Sequence, residues 1–280
     1  MAQSDVGRWE AALEGFTKET FEADGKRRDI YRAGTGPAVI VMSEMPGITP
    51  LVAEFGLRVA AAGCTAVMPH MFGDPGRPVS VGYLFESLGP ACISREFSRF
   101  ALKTTSPITS WLRQLAAAEH QRCGGPGVGA VGMCFTGGFA LAMMVDDIML
   151  APVLSQPSLP FALSKKHKAD LGISDADLAR VKERTADGTC LLGLRFSHDR
   201  MAPGDRFDTL RRELGDAFIA VELDSSPGNS FGHPKMAHSV LTDHLQDREG
   251  TPTRAALDQT LTFFREKLGV GTGPGPRPGD

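Results

Sequence analysis

The chain has 280 residues, is 42% hydrophobic and carries a formal net charge of -3. That is apolar material for one large core, and it leaves no strongly basic face for nucleic acid. Five cysteines (Cys64, Cys92, Cys123, Cys134 and Cys190) are odd in number, widely spaced and free of any CxxC pair, which argues against a disulfide framework or a zinc site.

The first residues, MAQSDVGRWEAALEGF, are polar and acidic, unlike a basic-then-apolar leader. No run approaches the roughly 18 apolar residues of a membrane span. The expectation is a soluble, cytoplasmic protein that engages neither membrane nor nucleic acid, with its oligomeric state left open. Residues 17–33 place Asp24-Gly25 between two short alternating runs, a hairpin signal. The apolar run 37–45 predicts a strand buried on both faces of a parallel sheet. Residues 50–62 predict a helix ending at Gly63, and 64–72 the next strand. A helix occupies part of 94–120, with Trp111, Leu112, Leu115 and Ala116 at helical spacing. Residues 128–134 and 147–155 predict two further strands. The more polar stretch 163–187 holds a helix with Ser174 and Asp177 placed as in a capping box, either a lid or a surface helix. Strands at 191–199 and 218–224 and an amphipathic helix at 252–268 complete the pattern.

Alternating strands and helices imply a mainly parallel sheet covered on both faces, and the hairpin adds antiparallel strands at one edge. No repeat or second-domain boundary is visible. Residues 1–269 read as a single α/β domain and 270–280, rich in Gly and Pro, as a disordered tail.

The strongest local motif is Gly132-Met133-Cys134-Phe135-Thr136-Gly137-Gly138, between a buried strand and a helix. This is the context of a nucleophile elbow, a sharp turn that needs small residues where strand and helix backbones approach. It puts Cys134 at a helix N-terminus, where dipole and N–H groups favour thiolate. The Phe135 N–H would point to a forming oxyanion. In an α/β-hydrolase the acid and then the histidine follow the nucleophile, at later strand ends. Asp199 lies just past one such strand, with Pro203 four residues on. The segment after the last strand offers His233, His238 and His244. Earlier, Ser43-Glu44-Met45-Pro46-Gly47 follows an apolar strand whose exit loop supplies the second oxyanion donor in this fold, here the Met45 N–H. Glu44 would then lie beside the thiol.

Taken together, these residues resemble the dienelactone hydrolase family of α/β-hydrolases: Glu44, the elbow from Gly132 to Gly138, Asp199 to Pro203, and a histidine near the final helix. The run His238-Ser239-Val240-Leu241-Thr242-Asp243 is similar to the family's histidine motif, so the resemblance selects His238. It implies a Cys134–His238–Asp199 triad, a Glu44 that contacts the cysteine and modulates its ionisation, and hydrolysis of a small ester or dienelactone without metal or organic cofactor. It also implies an arginine for the substrate carboxylate, and Arg95 falls near where the family places one. Thr136 and Ala237 stand where the family has glycines. Two other classes fit a cysteine elbow. A glutaminase-like amidase would need a later His-x-Glu, which is missing after Cys134. A non-catalytic hydrolase-like scaffold for binding or redox sensing would keep the thiol without turnover.

Overall fold

The computed structural model describes residues 9–80, 82–84, 86–87, 106–158 and 165–271. Its elements are β1 (Thr17–Ala23), β2 (Lys26–Gly34), β3 (Ala38–Met42), α1 (Pro50–Ala61), β4 (Thr65–Pro69), α2 (Pro107–Cys123), β5 (Val128–Met133), α3 (Gly137–Met143), β6 (Met149–Ser155), α4 (Lys165–Ala169), α5 (Asp175–Ala186), β7 (Leu191–Phe196), α6 (Gly204–Leu214), β8 (Phe218–Leu223) and α7 (Pro252–Lys267). All eight strands form one sheet in the order β1-β2-β4-β3-β5-β6-β7-β8. The expected hairpin is present. Asp24 and Gly25 both take positive φ, the two-residue turn that matches the twist of its flanking strands. β2 pairs antiparallel with both β1 and β4, and every later pairing is parallel. This is the α/β-hydrolase fold.

The innermost strands β3 and β5 are short and wholly apolar because both faces are covered. In β3, Ala38, Ile40 and Met42 face a core shared with α2, α3, α5 and α6, while Val39 and Val41 face a core built with α1 and α7. The larger of these side chains, the valines, Ile40 and Met42, each contribute about 1.5–3 kcal/mol by leaving water. Helix starts follow local chemistry. Thr49 and Ser106 cap α1 and α2 by accepting the N–H groups of Val52 and Thr109 at 3.3 and 3.4 Å, each ahead of a proline at the first helical position. The cap at Ser106 starts α2 at 107, and the helix runs to 123, three residues past the expected end. Residues 94–105 lie outside the described residues.

The polar stretch 163–187 contains α4 and α5. Ser174 accepts the Asp177 N–H at 3.0 Å, so one half of the anticipated capping box is made. Val181 enters the core, and Arg184 donates to the carbonyls of Met144 and Met149, each at 2.8 Å. Those contacts make α5 a docked surface helix. Val270 packs against the α1/α7 core, while 272–280 lie outside the described residues. Among the described residues no helix is long and apolar enough to cross a membrane.

Candidate active site

The carboxyl ends of β3, β5, β6, β7 and β8, neighbours in the sheet, carry the chemistry. Ligands bind at this edge in open α/β sheets because the strand exits leave a crevice there. β5 ends at Met133, and Cys134 follows with φ of 55°. That left-handed conformation is strained for a residue with a β-carbon and is the geometry of a nucleophile elbow. It is possible because Gly132 has no side chain, since a β-carbon there would collide with the Thr136 carbonyl. Gly137 provides the second close approach, against Pro157, where a β-carbon would come within 2.7 Å of the Pro157 Cα. Cys134 is half-buried, so its sulfur is reachable.

Thr136, in place of an elbow glycine, does not displace the turn. Its hydroxyl is fully buried and accepts the Met133 N–H at 2.8 Å. It also lies within donating distance of the carbonyls of Met42 (3.0 Å), Ser43 (3.3 Å) and Met133 (2.9 Å). The threonine thus fastens the elbow to the end of β3, just before Glu44 and Met45.

β7 delivers Asp199 and the β8 loop delivers His238. The His238 Nδ1 donates to Asp199 Oδ2 at 2.6 Å, and Oδ1 of the same carboxylate accepts the N–H groups of Met201 (2.9 Å) and Ala202 (3.2 Å). Both side chains are nearly excluded from solvent. The other ring nitrogen is buried and short of a well-formed hydrogen bond, and what it faces is the Cys134 sulfur. Burial disfavours the imidazolium, but Cys134 on one side and Asp199 on the other outweigh it and push His238 up to about 11. The acid loop is itself clamped. Arg195 in β7 donates to the carbonyls of Ala202 (2.9 Å) and Ser197 (3.1 Å), either side of Asp199, and pairs with Glu222 across the β7–β8 ladder.

The remaining histidines take other places. His233 is tied into a turn by Asn229, which accepts its N–H at 2.9 Å, and its ring packs on Phe196 with centroids 5.0 Å apart. Burial lowers it, and it hydrogen-bonds neither Cys134 nor Asp199. His244, also lowered by burial, accepts the N–H groups of His238 and Ser239 on Nδ1 at 3.4 and 3.3 Å and so braces the loop that carries His238.

Glu44 takes its hydrogen bonds from the β6 end and the histidine loop. It is buried beside the histidine loop but makes no hydrogen bond with Cys134. Its Oε2 accepts from Ser239 Oγ (2.6 Å) and Gln156 Nε2 (3.0 Å), and its Oε1 from Thr242 Oγ1. Both oxygens are thus engaged, two of the three bonds coming from residues just after His238. Burial raises its pKa against the pull of the two hydroxyls. Met45 is half-buried, and among the described residues its N–H donates no hydrogen bond. Phe135 packs edge-on against Phe139 at 5.9 Å. Arg95 lies outside the described residues.

Gln156, Ser239, Thr242 and Arg195 went unassigned in the sequence. Gln156 had the clearest available signal, a polar residue directly after an apolar strand at the ligand-bearing edge.

The sequence model of the family described as "Dienelactone hydrolase family" matches residues 30–268. The chain belongs to the dienelactone hydrolase family. The match runs from β2 to the end of α7 and includes every site residue above. Solved structures agree in fold at low identity. A Klebsiella pneumoniae protein described as a dienelactone hydrolase is 18% identical, with 90% of this chain and 98% of that one covered and a TM-score of 0.59. A promiscuous phosphotriesterase resembling dienelactone hydrolase, from metagenomic libraries, is 17% identical over the same shares, with a TM-score of 0.57. A thioesterase domain from the curacin biosynthetic pathway is 13% identical, covering 89% of this chain and 100% of that domain, with a TM-score of 0.54. Among curated proteins none matches this sequence. Membership of this family makes the protein a hydrolase.

Proposed function

We propose that the protein hydrolyses a small carboxylic ester or lactone through an acyl-cysteine. The observation that carries this reading is the buried Asp199–His238 hydrogen bond behind a half-exposed Cys134 on a positive-φ elbow. In the reaction, the Cys134 thiolate attacks the carbonyl carbon and the oxygen takes negative charge, accepted by the N–H groups of Met45 and Phe135. Collapse of the adduct breaks the C–O bond, and the imidazolium of His238 gives its proton to the leaving alkoxide or enolate. In a lactone that group stays on the same molecule. Water then attacks the thioester while His238 takes its proton, and release of the thiolate yields the acid. Asp199 holds the tautomer in which Nε2 serves the sulfur and the water. Glu44 sits where its charge state acts on the histidine loop. Arg95 remains the candidate for a substrate carboxylate, through the two parallel hydrogen bonds a guanidinium forms. No step needs a metal or organic cofactor.

The test is a panel of dienelactones and aryl esters, with an aryl phosphotriester and a thioester added because neighbours of this fold act on such bonds. Turnover of an ester or lactone by the wild type and its loss in Cys134→Ala are the expected result. Full activity in Cys134→Ala would remove the cysteine mechanism.

A further inference from the structure

Gln156 is the first residue past β6, and its side chain is completely buried. Its φ of 37° lies in the left-handed region, where glycine or asparagine is the undemanding choice. The amide has one permitted orientation. Its Nε2 donates to Glu44 Oε2 at 3.0 Å, while its Oε1 accepts the Val240 N–H at 3.3 Å and the Ser155 hydroxyl. A flipped amide would set its NH2 against the Val240 N–H and its oxygen against a carboxylate. The backbone is equally committed. The Gln156 N–H donates to Leu194 in β7 at 2.7 Å. Two residues on, the Ser158 N–H donates to the Cys134 carbonyl at 2.9 Å, and the Ser158 hydroxyl returns to the Gln156 carbonyl at 3.1 Å. One buried residue therefore joins the Glu44 loop, the His238 loop, the strand that carries Asp199 and the segment that holds Cys134.

We propose that Gln156 is a positioning residue for the Cys134–His238 pair, its amide setting Glu44 and the turn after His238 in register with the elbow. This rests on reading Cys134 as nucleophile and His238 as base. Gln156 touches neither reacting atom and acts through Glu44 and Val240. The charged groups facing this point are Glu44 from the β3 loop, and His238 and Asp243 from the histidine loop. Cys134 and Asp199 face His238 from its other sides.

The test uses Gln156→Met and Gln156→Glu in the full chain, with two readouts against pH: ester turnover and the rate of Cys134 alkylation by iodoacetamide. Alkylation needs no substrate, so a wrong assignment of the reaction and a wrong assignment of Gln156 give different results. Methionine keeps length and volume but removes the three hydrogen bonds of the amide. We expect kcat to fall about 10- to 100-fold with KM within about twofold, the pattern of a group that acts on the chemical step and not on binding. The alkylation profile should move along the pH axis. In Gln156→Glu the introduced carboxyl copies the amide only while protonated, when it donates to Glu44 and accepts from Val240. When ionised it faces Glu44 as a like charge. Its activity relative to wild type should therefore recover as pH falls. A role confined to packing would lower rates without that pH signature. A wild-type alkylation profile in a folded Gln156→Met, or a pH-independent loss in Gln156→Glu, overturns the proposal. If Gln156→Met does not fold, the pH trend of Gln156→Glu decides alone.

Discussion

His238 Nδ1 and Asp199 Oδ2 are 2.6 Å apart although 39 residues separate them in the chain, and both are buried. A contact this short between an imidazole and a carboxylate at the mouth of the sheet orients the ring, because two backbone N–H groups already hold the other Asp199 oxygen. Consequences for catalysis and stability follow from it.

His238→Ala should lower kcat by at least about three orders of magnitude on any ester the wild type turns over, as loss of a triad base does. Asp199→Asn should lower it by a comparable factor, since the amide presents the wrong partner to Nδ1. His233→Ala should cost far less, because that ring rests on Phe196 and reaches neither partner. Steady-state kinetics on the three variants separates the roles. An equal loss in His233→Ala would reassign the base.

The pH behaviour has a definite sign. His238 is raised from 6.5 to about 11, so protonation favours the folded state. Its stabilising contribution is fully present below 6.5 and is lost as pH rises towards 11. Histidine ring NMR should show His238 still protonated where an ordinary histidine is neutral. Cys134→Ala removes one of the two groups that raise it, so the midpoint should fall in that variant. An unchanged midpoint would mean the sulfur does not face the ring.

Thiol reactivity should be far higher at the elbow than at Cys64. Burial pushes Cys64 up to about 11, leaving it protonated and enclosed at neutral pH. Cys134 is half-buried beside the His238 imidazolium. Timed alkylation followed by peptide mapping should label Cys134 well ahead of Cys64, and prior labelling should abolish turnover. Retained turnover with Cys134 fully modified would contradict its role.

Thr136→Val should destabilise the fold by about 1–3 kcal/mol, because the buried Met133 N–H loses its acceptor and the valine offers none. Thr136→Ser keeps the hydroxyl and should recover most of that loss. Denaturant midpoints measure both. If valine is neutral, the tie between the elbow and the end of β3 contributes nothing to stability.

The sequence by itself determined the architecture and the main candidates. Apolar runs such as 37–45 and 128–134 suit strands buried on both faces, Asp24-Gly25 can close a two-residue hairpin, and glycines at 132 and 137 permit a cysteine on a sharp turn. These are local properties, set by side-chain period, turn chemistry and the size of a β-carbon. The order of cysteine, aspartate and histidine along the chain also pointed to the strand ends where Asp199 and His238 meet. Only the tertiary structure decided which partners those groups take. His233 and His238 are five residues apart in one loop, and apart from the motif resemblance after His238 no physical property of the local sequence separates them. The choice depends on how that loop folds back on Phe196 and Asp199. Glu44 was legible as a carboxyl at the strand end near the thiol, yet its hydrogen bonds go to Ser239, Thr242 and Gln156, from segments more than a hundred residues distant. A buried polar group must take whatever donors the assembled fold brings to it, and sequence spacing holds no record of them.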